Sequence, residues 1–152
     1  MDQALGAFTF KLGQIEDAER ASLFLVDHER QELWLRVAQE EASGKVDVRI
    51  PMGAGIAGHV ASSGEGVRID DAYADPRFNP EVDRQTGFRT RSILCLPIED
   101  SDGRVFAVAQ LLNRHDGQPF DAEDEARFGR YVGSLGVLLE TWSRLTRLKQ
   151  LA

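Results

Sequence analysis

The chain has 152 residues, of which 42% are hydrophobic and 28% charged, a composition that suits one globular domain with a substantial core. Its formal net charge of −7 argues against a nucleic-acid binder, because such proteins need a basic face to displace counterions, but it leaves room for a small phosphate ligand. The single cysteine, Cys95, excludes an internal disulfide and a cysteine-rich metal site and fits a reducing, cytoplasmic setting, and no apolar run approaches the roughly 20 residues of a membrane span.

Apolar spacing predicts the first elements of the chain. Leu5, Phe8, Leu12 and Ile15 recur at helical spacing, which predicts an N-terminal amphipathic helix over residues 1–19. Strands are predicted at ASLFLVD (21–27), ELWLRVA (32–38) and SGKVDVRIP (43–51), the first two forming a hairpin. GAGIAGHVASSG (53–64) predicts a glycine turn and a helix of about two turns, and VRI (67–69) predicts a short strand.

A long polar segment, DAYADPRFNPEVDRQTGFRT (71–90), follows and carries Tyr73, Phe78 and Phe88 as apolar anchors. Loops of this length in compact domains are usually functional. RSILCLPIED (91–100) and VFAVAQLLN (105–113) predict a second hairpin, and a helical pattern runs from Asp121 to the end. The fold class is therefore α+β, with an antiparallel sheet between helices.

The last helix has apolar residues that step by three and four, as in a heptad seam. The seam comprises Phe128, Tyr131, Leu135, Leu138, Trp142 and Leu145. Leu148 and Leu151 continue it past the point where a domain of this size covers them. The pattern predicts a dimerisation or signalling helix over residues 131–152, in preference to a helix that serves only the core.

GAGIAG, residues 53–58, satisfies the dinucleotide fingerprint G-x-G-x-x-G. The helix that it opens is too short for a βαβ unit, so the glycines are interpreted as turn and packing residues. The free N–H groups of Ile56 and Ala57 at the helix start still suit an anionic ligand.

Metal and catalytic sites are not predicted. His115-Asp116 resembles a metal-binding pair of phosphohydrolases, but such sites need further His and Asp ligands. Asp70, Asp71 and Asp75 could indicate a cation site, but helix capping by Asp70 or Asp71 is the simpler interpretation. No serine lies in a nucleophile elbow.

The stretch NRHDGQPFDAEDE, residues 113–125, links the last strand to the last helix. Its Asn113, Arg114, Phe120, Asp124 and Glu125 resemble the N-K-x5-F-x3-D-E signature of cyclic-nucleotide-binding GAF domains, found in phosphodiesterases and cyanobacterial adenylyl cyclases. Neighbouring stretches resemble the same domains over residues 20–130, which implies a GAF core there. Arg114 replaces the family's lysine, which pairs with the motif's aspartate, so an ion pair of Arg114 with Asp124 is expected.

The resemblance implies a pocket for one cyclic nucleotide, cyclic AMP or cyclic GMP, with no other cofactor. The implied binding residues lie on the sheet, at the start of the short helix and in a lid formed by the long polar segment; they are Ser22, Ala38, Gln39, Ile56, Ala57, Asn79, Asp83, Thr86, Thr90 and Gln110. The N–H groups of Ile56 and Ala57 would face the cyclic phosphate. The lid threonines would offer hydroxyls to the phosphate or the ribose.

Four of these positions depart from the family pattern: Ala38 replaces a stacking aromatic, Gln39 an acidic residue, Asn79 a tyrosine and Gln110 a glutamate. Lost stacking removes about 1–3 kcal/mol, by analogy with single-strand binders. Glutamine both donates and accepts, as the edge of adenine requires, so cyclic AMP is favoured over cyclic GMP.

The resulting hypothesis is a regulatory module, not an enzyme, that binds a cyclic nucleotide and signals to an effector domain through the terminal helices of a homodimer. The alternative is a GAF-fold dimerisation or interaction module with no cyclic nucleotide or a different small ligand, which the loss of the aromatic at Ala38 favours. Enzymatic activity is the third reading; the single Cys95 does not supply the cysteine set of the free methionine sulfoxide reductases of this fold.

Overall fold

A computed structural model describes residue 14, residues 17–38 and residues 49–151 of the chain. Within these residues, six strands form one sheet in the order β3-β2-β1-β6-β5-β4, and every neighbouring pair is antiparallel. The strands are β1 Ala18–Asp27, β2 Glu32–Ala38, β3 Arg49–Pro51, β4 Val67–Ile69, β5 Ile93–Glu99 and β6 Val105–Arg114. The helices are α1 Gly55–Ser63, α2 Glu81–Thr86 and α3 Ala122–Leu151, with a 3-10 turn at Ala72–Ala74. The predicted α+β class and antiparallel sheet are confirmed.

The start of β1 corrects one predicted boundary. The predicted N-terminal helix extends to residue 19, but Ala18 already pairs with Arg114 of β6, and Asp17 before it has a φ of +54°. The positive φ turns the chain into the sheet, which ends helical geometry there. Gln14 is helical; residues 1–13, 15 and 16 of the predicted helix lie outside the described residues, as do residues 43–48 of the predicted third strand.

Two buried clusters fill the two faces of the sheet. The first packs α3 against β1, β5 and β6, and α3 comes so close to β5 that a Cβ at Gly136 would lie 2.9 Å from Ile98 Cγ2. The second packs α1 against the other face, where Ile56 and Val60 join Phe24 and Val108. The sheet therefore separates the long terminal helix from the face that α1 covers.

The glycine-rich turn before α1 is explained by backbone geometry. Gly53 and Gly55 have φ values of +86° and +67°, which residues with side chains rarely adopt. A Cβ at Gly58 would lie 2.9 Å from the Pro51 carbonyl oxygen, so α1 lies on this turn without room for a side chain. Because every strand pairing is antiparallel, no βαβ unit accompanies the fingerprint, and the packing interpretation of these glycines holds.

The apolar pattern of α3 divides into two stripes. Phe128 and Leu135 of the predicted seam are buried in the first cluster. Tyr131, Leu138 and Leu145 instead remain 40%, 51% and 54% exposed. The side chain of Trp142 lies outside the described part of the chain. No helix among the described residues is long and apolar enough to cross a membrane.

Candidate functional site

The floor of the candidate site is a row of residues across three strands. Ser22 of β1 lies opposite Gln110 of β6 on one side and opposite Ala38 of β2 on the other. Alternation along a strand places Ser22 on the same face as Phe24, two residues on, which packs with α1. Ser22 and Gln110 are half-buried, and within the described residues neither side chain has a hydrogen-bond partner. Gln39 lies outside the described residues.

Cys95 continues this row on β5, opposite Gln110. Its side chain is fully buried, and this burial raises the pKa of the thiol. A thiol that stays protonated is a poor nucleophile. Cys95 therefore contributes packing to the floor and carries no thiolate chemistry.

The start of α1 presents backbone donors beside this floor. Ala54 at the N-cap position makes no side-chain cap hydrogen bond, and the first turn contains no acidic residue. The first N–H groups of a helix lack partners within the helix and carry its positive dipole end. Ile56 and Ala57, both 5% exposed, lie in this turn, as the prediction of an anion-binding helix start requires.

The predicted lid contains two short helices, and three of its side chains bond to one another. Asp83 on α2 accepts the Thr90 hydroxyl at 2.8 Å on Oδ1. Its Oδ2 accepts the Thr90 backbone N–H at 2.8 Å and the Tyr73 hydroxyl at 2.7 Å. The bond to Asp83 and burial raise the pKa of Tyr73. Asp83 and Thr90 are 8% and 2% exposed, so this cluster lies inside the lid.

The other two predicted lid residues shape α2 itself. Asn79 Oδ1 accepts the Glu81 N–H at 3.0 Å, so the Asn79 side chain caps the first turn of this helix. The Thr86 hydroxyl donates to the Val82 carbonyl at 2.8 Å and accepts the Phe88 N–H at 3.3 Å. Both residues are exposed, and their polar atoms already take part in bonds that start and end α2.

Aromatic contacts fasten the lid to the sheet. The Arg20 guanidinium of β1 lies 3.8 Å from the centre of the Phe88 ring, and Arg89 lies 4.1 Å from that of Tyr73. Tyr73 and Phe78 contact each other with ring centres 5.1 Å apart. Phe78 and Phe88 are half-buried anchors, but Tyr73 is 41% exposed and is held through its hydroxyl and its ring face instead.

Sequence reasoning missed Arg20 and the Tyr73 hydroxyl as parts of this site. Arg20 lies two residues before Ser22, so the alternation of β1 was a signal that it shares the pocket face. No local pattern pointed to Tyr73, because its partner Asp83 is ten residues further along the chain.

Of the acids at the start of the lid, Asp75 forms an ion pair. Asp71 occupies the N-cap position of the 3-10 turn without a side-chain cap hydrogen bond, so the predicted capping bond is absent there. Asp75 binds Arg77 through Oδ1, at 2.9 Å from Nε, and through Oδ2, at 2.7 Å from Nη2. The hydrogen bonds from Arg77 lower the pKa of Asp75 from 3.8 to about 2.

Asp75→Asn is expected to lower the free energy of unfolding by about 1 kcal/mol near neutral pH. Because the folded pKa lies below the unfolded one, the contribution of Asp75 is present above pH 3.8 and disappears as the pH falls toward 2. Urea unfolding of both proteins at a series of pH values measures this convergence. Asp70→Asn, at an exposed acid of the same segment, is the control; a difference at Asp75 that does not depend on pH would contradict the assignment.

The motif that opens α3 joins three elements. Arg114 Nη1 lies 3.1 Å from Asp124 Oδ2, which confirms the expected ion pair, and its Nη2 lies 2.7 Å from Asp116 Oδ2. Burial lowers the pKa of Arg114, but the neighbouring carboxylates outweigh burial and raise it. Glu125 accepts a bond from Arg68 of β4 at 3.0 Å. Asp116, the polar partner of His115 in the sequence, therefore belongs to an ion-pair network.

Asn113 of the motif connects β6 to the end of the lid. Its Oδ1 accepts the N–H groups of Arg91 at 2.6 Å and Ser92 at 3.1 Å. Its Nδ2 donates to the Arg89 carbonyl at 2.8 Å and to Glu19 Oε1 at 3.2 Å. The side chain is fully buried, like that of Phe120 in the first cluster, so these two motif residues have structural roles in the interior of the domain.

Solved structures share this architecture. The GAF domain of an Acinetobacter phosphoenolpyruvate-protein phosphotransferase superposes with a TM-score of 0.80 at 18% identity, over 96% of this chain and 85% of that one. The free methionine-R-sulfoxide reductase of Neisseria meningitidis, solved with its substrate, superposes with a TM-score of 0.72 at 26% identity, over 97% of this chain and 80% of that one. The sheet and helices thus define the GAF fold.

The family model of the GAF domain matches residues 1–138, and the chain belongs to the GAF family. It is 49% identical over 102 residues to dual 3′,5′-cyclic-AMP and -GMP phosphodiesterase 11 of Drosophila melanogaster, a match that covers 67% of this chain and 7% of that protein. It is 42% identical over 136 residues to the probable 3′,5′-cyclic phosphodiesterase pde-5 of Caenorhabditis elegans, over 83% of this chain and 18% of that protein. The chain spans only a small part of these phosphodiesterases.

Proposed function

We propose that this chain is a regulatory, ligand-sensing module that binds one cyclic nucleotide between the α1 face of its sheet and the lid. The observation that carries the proposal is the facing pair Ser22 and Gln110, two half-buried polar side chains whose hydrogen-bonding groups are unused within the described residues. Polar groups without partners on an otherwise apolar face favour a ligand that completes them. The similarity to phosphodiesterases of cyclic AMP and cyclic GMP supports a cyclic nucleotide as that ligand.

The proposed pose divides the nucleotide between two parts of the site. The cyclic phosphate meets the N–H groups of Ile56 and Ala57, because the uncapped first turn of α1 offers donors and a positive dipole end. The base lies over Ser22 and Gln110, with Ala38 and Gln39 at its edge. An amide at Gln110 both donates and accepts, which favours adenine over guanine.

Calorimetric titration with cyclic AMP and cyclic GMP tests the proposal directly, after mass spectrometry has excluded a copurified ligand. Saturable binding of either nucleotide is the expected result. No binding by a verified empty domain would contradict the proposal.

Gln110→Glu is expected to shift the ratio of the two affinities toward cyclic GMP by about tenfold, since a carboxylate accepts from the ring N–H and amino group of guanine. Parallel titrations of both nucleotides measure the ratio. Gln118→Glu makes the same chemical change at an exposed position and should leave the ratio unchanged. An unchanged ratio at position 110 would mean that this side chain does not contact the base.

Signal output is proposed to pass through α3 in a homodimer. Three apolar residues seven apart, Tyr131, Leu138 and Leu145, form an exposed stripe on the side of α3 that does not contact the sheet. Seven-residue spacing suits a helix that pairs with a second copy. In a cytoplasmic parent protein, α3 of the dimer would adopt two arrangements, and a nucleotide that binds one of them more tightly would shift the equilibrium toward it. This shift would change the activity of the effector domain.

The same stripe supports a second candidate, a GAF-fold dimerisation or interaction module with no cyclic nucleotide or with a different small ligand. The alanine at position 38 favours it, because the stacking aromatic of the family pattern is missing. A verified empty domain that sediments as a dimer and gives no calorimetric signal would select this candidate.

A further inference from the structure

The Asp83 carboxylate has three hydrogen bonds, and all three come from the lid itself. Thr90 supplies its hydroxyl and its backbone N–H, and Tyr73 supplies its hydroxyl. We propose that Asp83 is a positioning residue that latches the lid shut, and that it does not contact the ligand. Its effect on a nucleotide rests on the proposed function above.

The hydrogen-bonding groups of Asp83 and Thr90 are already occupied by each other and by Tyr73. A carboxylate only accepts hydrogen bonds, and three of its roughly four acceptor sites are occupied here. The proton of the Thr90 hydroxyl points at Asp83, so Thr90 has no donor left for a phosphate oxygen. A negative carboxylate beside a negative phosphate is also repelled by it. Neither group in its present geometry suits the cyclic phosphate, in contrast to the donors at the start of α1.

The latch joins Tyr73 in the 3-10 turn, Asp83 on α2 and Thr90 just before β5, so it ties the beginning, middle and end of the lid together. Asp83 and Thr90 are almost completely buried within that cluster. The Arg89 guanidinium lies over the Tyr73 ring, 4.1 Å from its centre, and adds a further contact within the lid. The latch thus sets how readily the lid opens, and hence how fast a ligand leaves, whereas Ser22 and Gln110 set which base is bound.

Asp83→Asn is expected to loosen the lid, because an NH2 group replaces one of the two accepting oxygens and cannot accept a hydrogen bond. If the amide oxygen keeps the bond from the Thr90 hydroxyl, the bonds from the Thr90 N–H and the Tyr73 hydroxyl are lost. Hydrogen exchange without added nucleotide should become about tenfold faster over residues 72–90. Stopped-flow release of cyclic AMP should accelerate by a similar factor, with the ratio of cyclic AMP to cyclic GMP affinity unchanged. Asp71→Asn is the matched control, since Asp71 is an exposed acid of the same segment without a side-chain cap bond.

Tyr73→Phe provides a second variant that removes one hydroxyl and keeps the carboxylate; a smaller acceleration of lid exchange is expected. If Asp83→Asn does not fold, lid exchange in Tyr73→Phe is the test of the latch. Unchanged lid exchange in both variants would overturn the latch, as would an altered ratio of nucleotide affinities in Asp83→Asn. If the unaltered chain binds neither nucleotide, the proposed function fails, yet faster exchange in the variants would still support the latch.

Discussion

Asn113→Ala is expected to lower the free energy of unfolding by about 4 kcal/mol, because it leaves three buried or part-buried backbone groups at the end of the lid without this partner. The N–H groups of Arg91 and Ser92 and the carbonyl of Arg89 all bond this one side chain. Alanine also tolerates the φ of +57° at this position less well than asparagine does. Urea unfolding monitored by circular dichroism measures the change.

Two further variants separate the causes of this loss. Glycine at position 113 accepts the positive φ without strain, so the cost of Asn113→Gly reports mainly the lost hydrogen bonds. Asn79→Ala removes an exposed asparagine that caps only α2 and should cost about 1 kcal/mol or less. Equal costs at positions 79 and 113 would contradict the assigned role of Asn113.

The strands were predictable where hydrophobic alternation and turn residues agreed. β2 and β4 have the predicted bounds, Glu32–Ala38 and Val67–Ile69, because each is a short apolar run between polar or glycine-containing turns. The helix α2 was missed. Its six residues, EVDRQT, carry one apolar residue and so show no periodicity; the bond from the Glu81 N–H to Asn79 and the bond from Thr90 to Asp83 hold this helix in the lid.

The apolar pattern of α3 illustrates a different limit. Steps of three and four from Phe128 to Leu145 predicted one seam, but residues three apart on a helix lie about 60° apart around its axis, so the two interleaved sets can face different surfaces. Only structure shows that Phe128 and Leu135 face the sheet while Tyr131 and Leu138 remain outside. Periodicity alone does not tell which apolar residues of a helix contact the sheet and which remain exposed.

The candidate site depended on pairing that no local pattern encodes. Ser22 and Gln110 are far apart in sequence and meet through the register of β1 and β6. Their place in a ligand pocket was implied by resemblance and stays a prediction; the register shows only that the two residues lie opposite each other. The bonds that hold Asp83 and Thr90 to each other were not foreseen, since a polar side chain in a loop gives no sign of its partner.

Asp124 unites the network at the start of α3, where it is 5% exposed. Its Oδ2 accepts the Asp121 N–H at 2.9 Å and lies 3.1 Å from Arg114 Nη1. Its own N–H donates to Asp121 Oδ1 at 2.8 Å, which completes a reciprocal cap of the helix. The Asp124 carboxylate therefore forms one half of the cap of α3 and also binds Arg114, which replaces the family's lysine.

Asp124→Ala is expected to lower the free energy of unfolding by about 3 kcal/mol, because it removes one half of the reciprocal helix cap together with the buried carboxylate that pairs with Arg114. Thermal and urea unfolding measure the loss, and hydrogen exchange should become faster in the first turn of α3 while β1 and β6 keep their protection. Glu123→Gln, an exposed acid in the same turn, tests the helix dipole alone and should cost about 0.5 kcal/mol or less. If both variants lost the same stability, the contribution of Asp124 would be its charge near the helix start, and the ion pair with Arg114 would add nothing.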